Sequence, residues 1–147
     1  MFNEAPSGGD THGEMLDILA RARPARLKQL AETLLADMGK IEVIANRTGL
    51  VMVPMRDTVQ NVDFHLGEVL VSEAQIADAE GHVGYGMVTG RDLERAMAMA
   101  VVDLFVSAAG EDQAVARFLG EERDFAHAED DLRMRQVEST RVEMETF

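Results

Sequence analysis

Hydrophobic positions in the first third of the chain recur every three or four residues. This spacing indicates amphipathic helix from about residue 15 to residue 38. Pro24 stands inside the stretch at a position that suits the first turn of a helix, so two helices are predicted, arranged as a hairpin with one apolar stripe. The stripe runs from Leu27 to Met38, and Gly39 is the predicted C-cap of the second helix.

The next apolar runs have the patterns of strands. A strand is expected to begin at Ile41–Ala45. Leu50–Met55 is continuously apolar, which is typical of a strand covered on both faces. Pro54 lacks a donor for the ladder, so that strand is expected to lie at an edge or to end there. Val69–Ile76 alternates between apolar and polar positions and predicts a half-buried strand.

A third run, near residue 85, carries glycine at every second position. Gly84 and Gly86 share one face, which predicts the close approach of another backbone or helix. The connections between the three runs are short and favour an antiparallel meander. The sequence therefore predicts an α+β fold with an N-terminal helical hairpin, an antiparallel β-meander and C-terminal helices.

The C-terminal half predicts helices of two different kinds. Residues 92 to about 107 are apolar nearly all round, a pattern normal for a helix buried in a core or against another subunit. Residues 111–147 carry eleven acids and five arginines and predict one long helix, or two with a break near Gly120. Because it has few aliphatic residues, this segment is expected to keep one face in solvent or to wrap around a partner.

Residues 1–10 are expected to form a disordered lead to a single domain over 11–147.

Composition narrows the classes of partner. The net charge of −13 argues against nucleic acid as a partner, because binding phosphates requires a basic surface. The apolar run Ala96–Ala109 is too short for a membrane span, which needs about 20 residues. No cysteine is present, so disulfides and cysteine–zinc sites are excluded. With no signal-peptide pattern at the N-terminus, a cytoplasmic location is expected.

Motifs of known catalytic chemistry are missing from the sequence. The four histidines have no metal-ligand spacing, so neither a metal site nor an intrinsic cofactor is predicted. The glycines from Gly84 to Gly90 are spaced one residue too widely for the dinucleotide fingerprint. His65 and Glu68 flank Gly67, and Glu68 is a candidate general base for which the sequence offers no second catalytic group.

The segment Gly90–Arg91–Asp92 lies at a predicted strand-to-helix junction and has two interpretations. Free N–H groups at a helix start, together with a guanidinium, can hold a phosphate. In the structural alternative, Gly90 makes the turn, Asp92 caps the helix and Arg91 pairs with a surface acid. The sequence leaves both open.

A combination of motifs resembles a known family. TGLVMV, then F-x-L-G-E, then GHVGYGMVTGRD leading into an alanine-rich helix with Asp103 is similar to the PhnG family, a component of the core complex of the bacterial carbon–phosphorus lyase system. The run Ser139–Glu143 resembles the S-R-V-[DE] segment near that family's end. The resemblance extends from about Leu16 to the terminus. At Arg95 the family commonly has a histidine.

The resemblance implies a role within a complex. Members of the PhnG family belong to a hetero-oligomer with subunits H, I, J and L. With subunits H, I and L they support displacement of adenine from MgATP by methylphosphonate. The candidate functional or interface residues are Arg47, His65, Glu68, Arg91 and Asp92, and no catalytic residue is assigned. A structural adaptor without substrate contact and a free-standing enzyme that binds a phosphorylated ligand remain as alternatives.

Overall fold

Four helices and three strands follow one another along the chain in the computed structural model, which describes residues 11–142. They are α1 (Thr11–Arg21), α2 (Pro24–Leu35), β1 (Ile41–Arg56), β2 (Asp63–Asp78), β3 (Val83–Thr89), α3 (Leu93–Ala109) and α4 (Gln113–Ser139). The strands pair antiparallel in the order β1-β2-β3. The predicted α+β class, with helices at both ends of a meander, is confirmed. The expected N-terminal lead lies outside the described residues.

The first two helices supply one side of the core. Pro24 occupies the first turn of α2, as the sequence predicts. The predicted end of that helix at Gly39 is wrong, because α2 ends at Leu35. The amides of Asp37 and Met38 donate to carbonyls three residues back, at 3.1 and 3.3 Å. These tighter turns finish the helix before the glycine is reached.

The first two strands are much longer than the third. β1 is one continuous strand of 16 residues, and β2 has the same length, whereas β3 pairs only with Val71–Ala77 of β2. Residues 49–56 and 63–70, with the turn between them, therefore project as a two-stranded ribbon, which we name the arm. The prediction that Leu50–Met55 is covered on both faces is wrong: Leu50 is 63% exposed, and Met52 and Met55 are exposed as well.

Pro54 lies at a position where its missing N–H donor does little harm to the sheet. β1 is an edge strand, and the pairing register of β1 and β2 shifts between Val53 and Pro54. A proline at an edge, next to a register irregularity, costs the sheet little because its missing donor would have faced away from the partner strand or into a disrupted ladder.

Helix α3 lies directly on the glycine face of β3, as the sequence predicts. A Cβ added to Gly84 would stand 2.6 Å from the Cβ of Leu104, and one added to Gly86 would stand 2.9 Å from the amide nitrogen of Ala100. The apolar helix is buried over most of its length. Its buried acid, Asp103, accepts hydrogen bonds from the backbone of Tyr85 at 2.8 Å and from Nε2 of His12 at 2.7 Å.

Helix α4 is single and runs past Gly120 without a break, so the first of the two predicted alternatives is confirmed. Its first turns bury Val115, Phe118 and Leu119, and most of its remaining residues are exposed. Within residues 11–142, no helix combines the length and apolarity that a bilayer crossing needs.

Candidate functional site at the root of the arm

The junction between β3 and α3 is fastened to the middle of β2 by one buried hydroxyl. Ser72 donates from Oγ to the carbonyl of Gly90 and accepts from the amide of Asp92, each at 2.8 Å. The amide of Gly90 donates to the carbonyl of Leu70, also at 2.8 Å. Gly90 has φ of 88°, a conformation that favours glycine, so its predicted role as the turn residue is confirmed. This junction meets β2 where the arm begins.

The N-terminus of α3 is capped by Asp92, as the structural interpretation of the junction predicts. Oδ1 of Asp92 accepts from the backbone amide of Arg95 at 3.0 Å. Lys28, from α2, places its Nζ 3.0 Å from Glu94 and 4.0 Å from Asp92. The hydrogen bond to Glu94 raises the pKa of Lys28. Two carboxylates and one ammonium thus occupy the helix start, and these acids disfavour a phosphate held by the helix N-terminus alone.

Arg91 differs from both of its neighbours. Its side chain is exposed and has no hydrogen bond or ion pair within residues 11–142. The expected pairing of Arg91 with a surface acid is therefore absent from this part of the chain. Because Gly90 and Asp92 are both fixed by Ser72, the backbone of Arg91 is fixed while its guanidinium remains available.

Glu68 and His65 lie on the arm itself. Glu68 stands opposite Met52 in the register and two residues from Leu70, so it lies beside the junction, and its side chain is exposed. His65 is opposite Pro54, farther toward the tip, and is exposed too. The fold places Glu68, Arg91 and Asp92 at the root of the arm and leaves His65 outside that group.

Arg47 belongs to a different surface. It donates from Nε to Glu73 at 2.9 Å, and the hydroxyl of Tyr85 donates to the same carboxylate at 3.0 Å, so the three strands are linked in one row. The hydrogen bonds from Arg47 and Tyr85 lower the pKa of Glu73. This row borders an open groove of about 450 Å³. Glu73 is five positions from Glu68 along β2, about 16 Å at the usual rise per residue, so the candidate residues do not form one site.

Sequence reasoning missed the two polar residues that organise these surfaces. Ser72 is a lone hydroxyl on a core-facing strand position, which was a usable signal, since a buried hydroxyl requires partners. Tyr85 is the single tyrosine of the chain, but its partner Glu73 is twelve residues away, and only the strand register reveals the pair.

A separate acidic group closes the turn between β2 and β3. Ligand atoms of Asp78, Glu80 and His82 lie within 4.8 Å of one another. The carboxylate of Asp78 accepts from the backbone amides of Glu80 and His82, each at 2.9 Å, and is 2.7 Å from Nδ1 of His82. These contacts explain the cluster as a turn in which one carboxylate satisfies the local donors.

Comparisons with known proteins agree with the motifs. The model of the family described as phosphonate metabolism protein PhnG matches residues 11–147. The chain is 31% identical over 135 residues to α-D-ribose 1-methylphosphonate 5-triphosphate synthase subunit PhnG of Rhizobium meliloti (strain 1021). The alignment covers 91% of this chain and 86% of that protein.

Proposed function

Because the chain belongs to the PhnG family, we propose that it is a subunit of α-D-ribose 1-methylphosphonate 5-triphosphate synthase. Together with subunits H, I and L, it supports transfer of the ribose 5-triphosphate moiety of MgATP to methylphosphonate, with release of adenine. The observation that carries the proposal is the similarity to the Rhizobium protein along nearly the whole chain. MgATP is a substrate of the full assembly, which works in the cytoplasm and comprises this chain with subunits H, I, J and L.

The geometry supports a contribution made inside an assembly. Glu68 makes no hydrogen bond or ion pair within the described residues, and Arg47 and Glu73 already satisfy each other. General acid–base chemistry needs a positioned pair of groups within hydrogen-bond reach of the substrate. We therefore assign no catalytic residue to this chain alone.

Arg91 is the residue through which the chain acts on the reaction. Its backbone is held by the hydrogen bonds around Ser72, and its guanidinium is free to reach beyond the chain. A guanidinium presents several donors in a fixed plane, which suits the oxygens of a phosphate or of a carboxylate. In the assembly it contacts either the triphosphate or an acidic group of a neighbouring subunit.

An omission assay tests the proposal. Purified subunits H, I and L are incubated with MgATP and methylphosphonate, with and without this chain, and released adenine is measured by chromatography. We expect adenine release to require the chain. Equal release without it would contradict the proposed function.

The free-standing enzyme is tested separately. Isothermal titration of the isolated chain with ATP and with methylphosphonate is expected to give no heat of specific binding. Clear binding without the other subunits would favour the enzyme that acts alone.

A further inference from the structure

The arm is apolar on a scale unusual for a surface element. Within the described residues, its strands and turn expose ten large hydrophobic side chains: Leu50, Val51, Met52, Met55, Val59, Val62, Phe64, Leu66, Val69 and Leu70. Their exposed fractions run from 36% for Val69 to 88% for Val59. A two-stranded ribbon is at best marginally stable in water without further packing, so this element is built to be covered.

The exposed area matches one side of a stable interface. If a fully exposed residue of this size presents roughly 150–200 Å², backbone included, these ten residues leave on the order of 900 Å² uncovered. The largest apolar patch on a typical monomer is about 300–600 Å². One partner of a standard-size interface contributes about 800 Å².

Both faces of the arm are apolar, which restricts the shape of the partner. Leu50 pairs with Leu70 on the face that continues toward α3, and Val51 pairs with Val69 on the opposite face. Docking on a flat surface would leave one of these pairs in water. Edge-to-edge pairing of strands would leave both pairs in water. A cleft that packs on both faces covers them all.

Charge argues against a second copy of this chain as the occupant. The chain carries 27 acidic and 14 basic side chains, so two copies would each bring a net charge of −13 to the contact. At the tip, the charge of Arg56 is already used by Asp63, with Nε 2.7 Å from Oδ1. At the root, Glu68 and Arg91 are exposed and have no partner within residues 11–142. They supply a charged rim around an apolar centre, as protein interfaces have.

We infer that the arm inserts between two apolar surfaces of a partner subunit of the synthase. The rim of that cleft carries a cation opposite Glu68. This inference rests on the proposed function and adds to it the surface that holds the chain in the assembly.

Two double variants test the two faces separately. Leu50→Lys with Leu70→Glu changes one face, and Val51→Lys with Val69→Glu changes the other. Each places opposite charges directly across the strands, which supports the ribbon while removing its apolar character. A tagged chain is co-expressed with subunits H, I and L, and the partner protein retained per chain is quantified. We expect each double variant to lower retention at least tenfold, as loss of central interface contacts does.

A matched control changes exposed apolar residues elsewhere. Met134→Glu with Val137→Lys, on α4, replaces two exposed side chains by an opposite-charge pair three residues apart. This control is expected to retain partner protein within about twofold of wild type, because its residues lie outside the proposed contact. Circular dichroism and thermal melting of each free variant verify that it is folded.

The possible outcomes separate this inference from the proposed function. If only one of the two double variants lost partner protein, the arm would dock on a flat surface, and the inferred cleft would be wrong. Full retention with both variants would overturn the arm as the docking element while leaving the subunit role intact. A wild-type chain that retains no partner would contradict the proposed function and the inference together. Sedimentation of the isolated chain as a dimer that both arm variants dissociate would make a second copy the occupant.

Discussion

The carbonyl oxygen of Ala96 lies in the space that a side chain at Gly86 would need. Gly84 stands in the same relation to Ala100, one turn farther along α3. Helix α3 consequently packs against β3 at backbone distance, and the junction after β3 enters the helix within three residues. The position of Arg91 at the root of the arm follows from this close packing.

Gly86→Ala is expected to destabilise the fold by about 3 kcal/mol, because the new Cβ meets backbone of α3 that has no room to shift. Urea unfolding followed by circular dichroism measures the change. Gly49→Ala is the matched control, since nothing lies within 4 Å of a Cβ at that position in β1. Equal stability of the two variants would contradict the close packing of α3 on β3.

Ser72→Ala is expected to cost about 2 kcal/mol, because it leaves the amide of Asp92 and the carbonyl of Gly90 without their buried partner. Chemical unfolding measures the loss. Ser107→Ala, at an exposed position of α3, is expected to change stability by less than about 0.5 kcal/mol. If both substitutions were neutral, the hydroxyl would not be what fastens the junction.

The ion pairs that join Glu122 of α4 to Arg23 and Arg26 at the start of α2 are expected to make stability depend on pH. Glu122 is buried, with its side chain 1% exposed, and burial alone would raise its pKa. Hydrogen bonds from the backbone and guanidinium of Arg23, with the charges of Arg23 and Arg26, outweigh burial and hold the pKa below the ordinary value of 4.5. As pH falls, the unfolded state therefore binds the proton before the folded state does. The contribution of Glu122 to stability is fully present above pH 4.5 and is lost as pH drops through the lower pKa that Glu122 has in the folded chain.

Glu122→Gln checks this pH dependence. The variant is expected to be less stable than wild type at pH 7, and the difference is expected to shrink when unfolding is measured below pH 4.5. Glu138→Gln, near the exposed end of α4, is the control and is expected to follow wild type at both pH values. A difference for Glu122→Gln that did not change with pH would contradict a lowered pKa of Glu122 in the folded chain.

Arg91→Ala is expected to leave assembly with subunits H, I and L unchanged within about twofold and to lower adenine release at least tenfold. A tenfold loss corresponds to about 1.4 kcal/mol, which is the expected effect of removing a charge-assisted contact. The paired measurements are partner retention and the adenine assay. Arg135→Ala removes another exposed arginine, on α4, and is expected to be neutral in both. Unchanged adenine release by Arg91→Ala would favour the adaptor without substrate contact.

Local patterns in the sequence predicted a large part of this fold. The glycine face of β3, the proline at the start of α2 and the cap at Asp92 each depend on residues close together in the chain. Each has a local physical cause: the missing Cβ of glycine, the fixed φ of proline, and a carboxylate three residues from the amide that it caps. These causes can be recognised in the sequence without knowledge of tertiary contacts.

The remaining features depend on partners far away in sequence or outside the chain. Glu122 accepts hydrogen bonds from Arg23, which lies 99 positions away in the sequence, and no local pattern predicts that pair. Leu50–Met55 has the composition of a buried strand, so the sequence indicated cover on both faces without saying which molecule supplies it. The structure shows that this chain does not cover the run within residues 11–142, and the inferred partner cleft accounts for the pattern.

Hydrogen–deuterium exchange, measured in the free chain and in the assembled synthase, shows whether a partner covers the arm. An uncovered ribbon opens easily, so its amides are expected to exchange fast in the free chain. On assembly we expect exchange to slow at least tenfold in residues 50–55 and 64–70, with residues 132–137 of α4 unchanged. Arm amides that exchange equally fast in the assembled complex would contradict the claim that this ribbon holds the chain in the synthase.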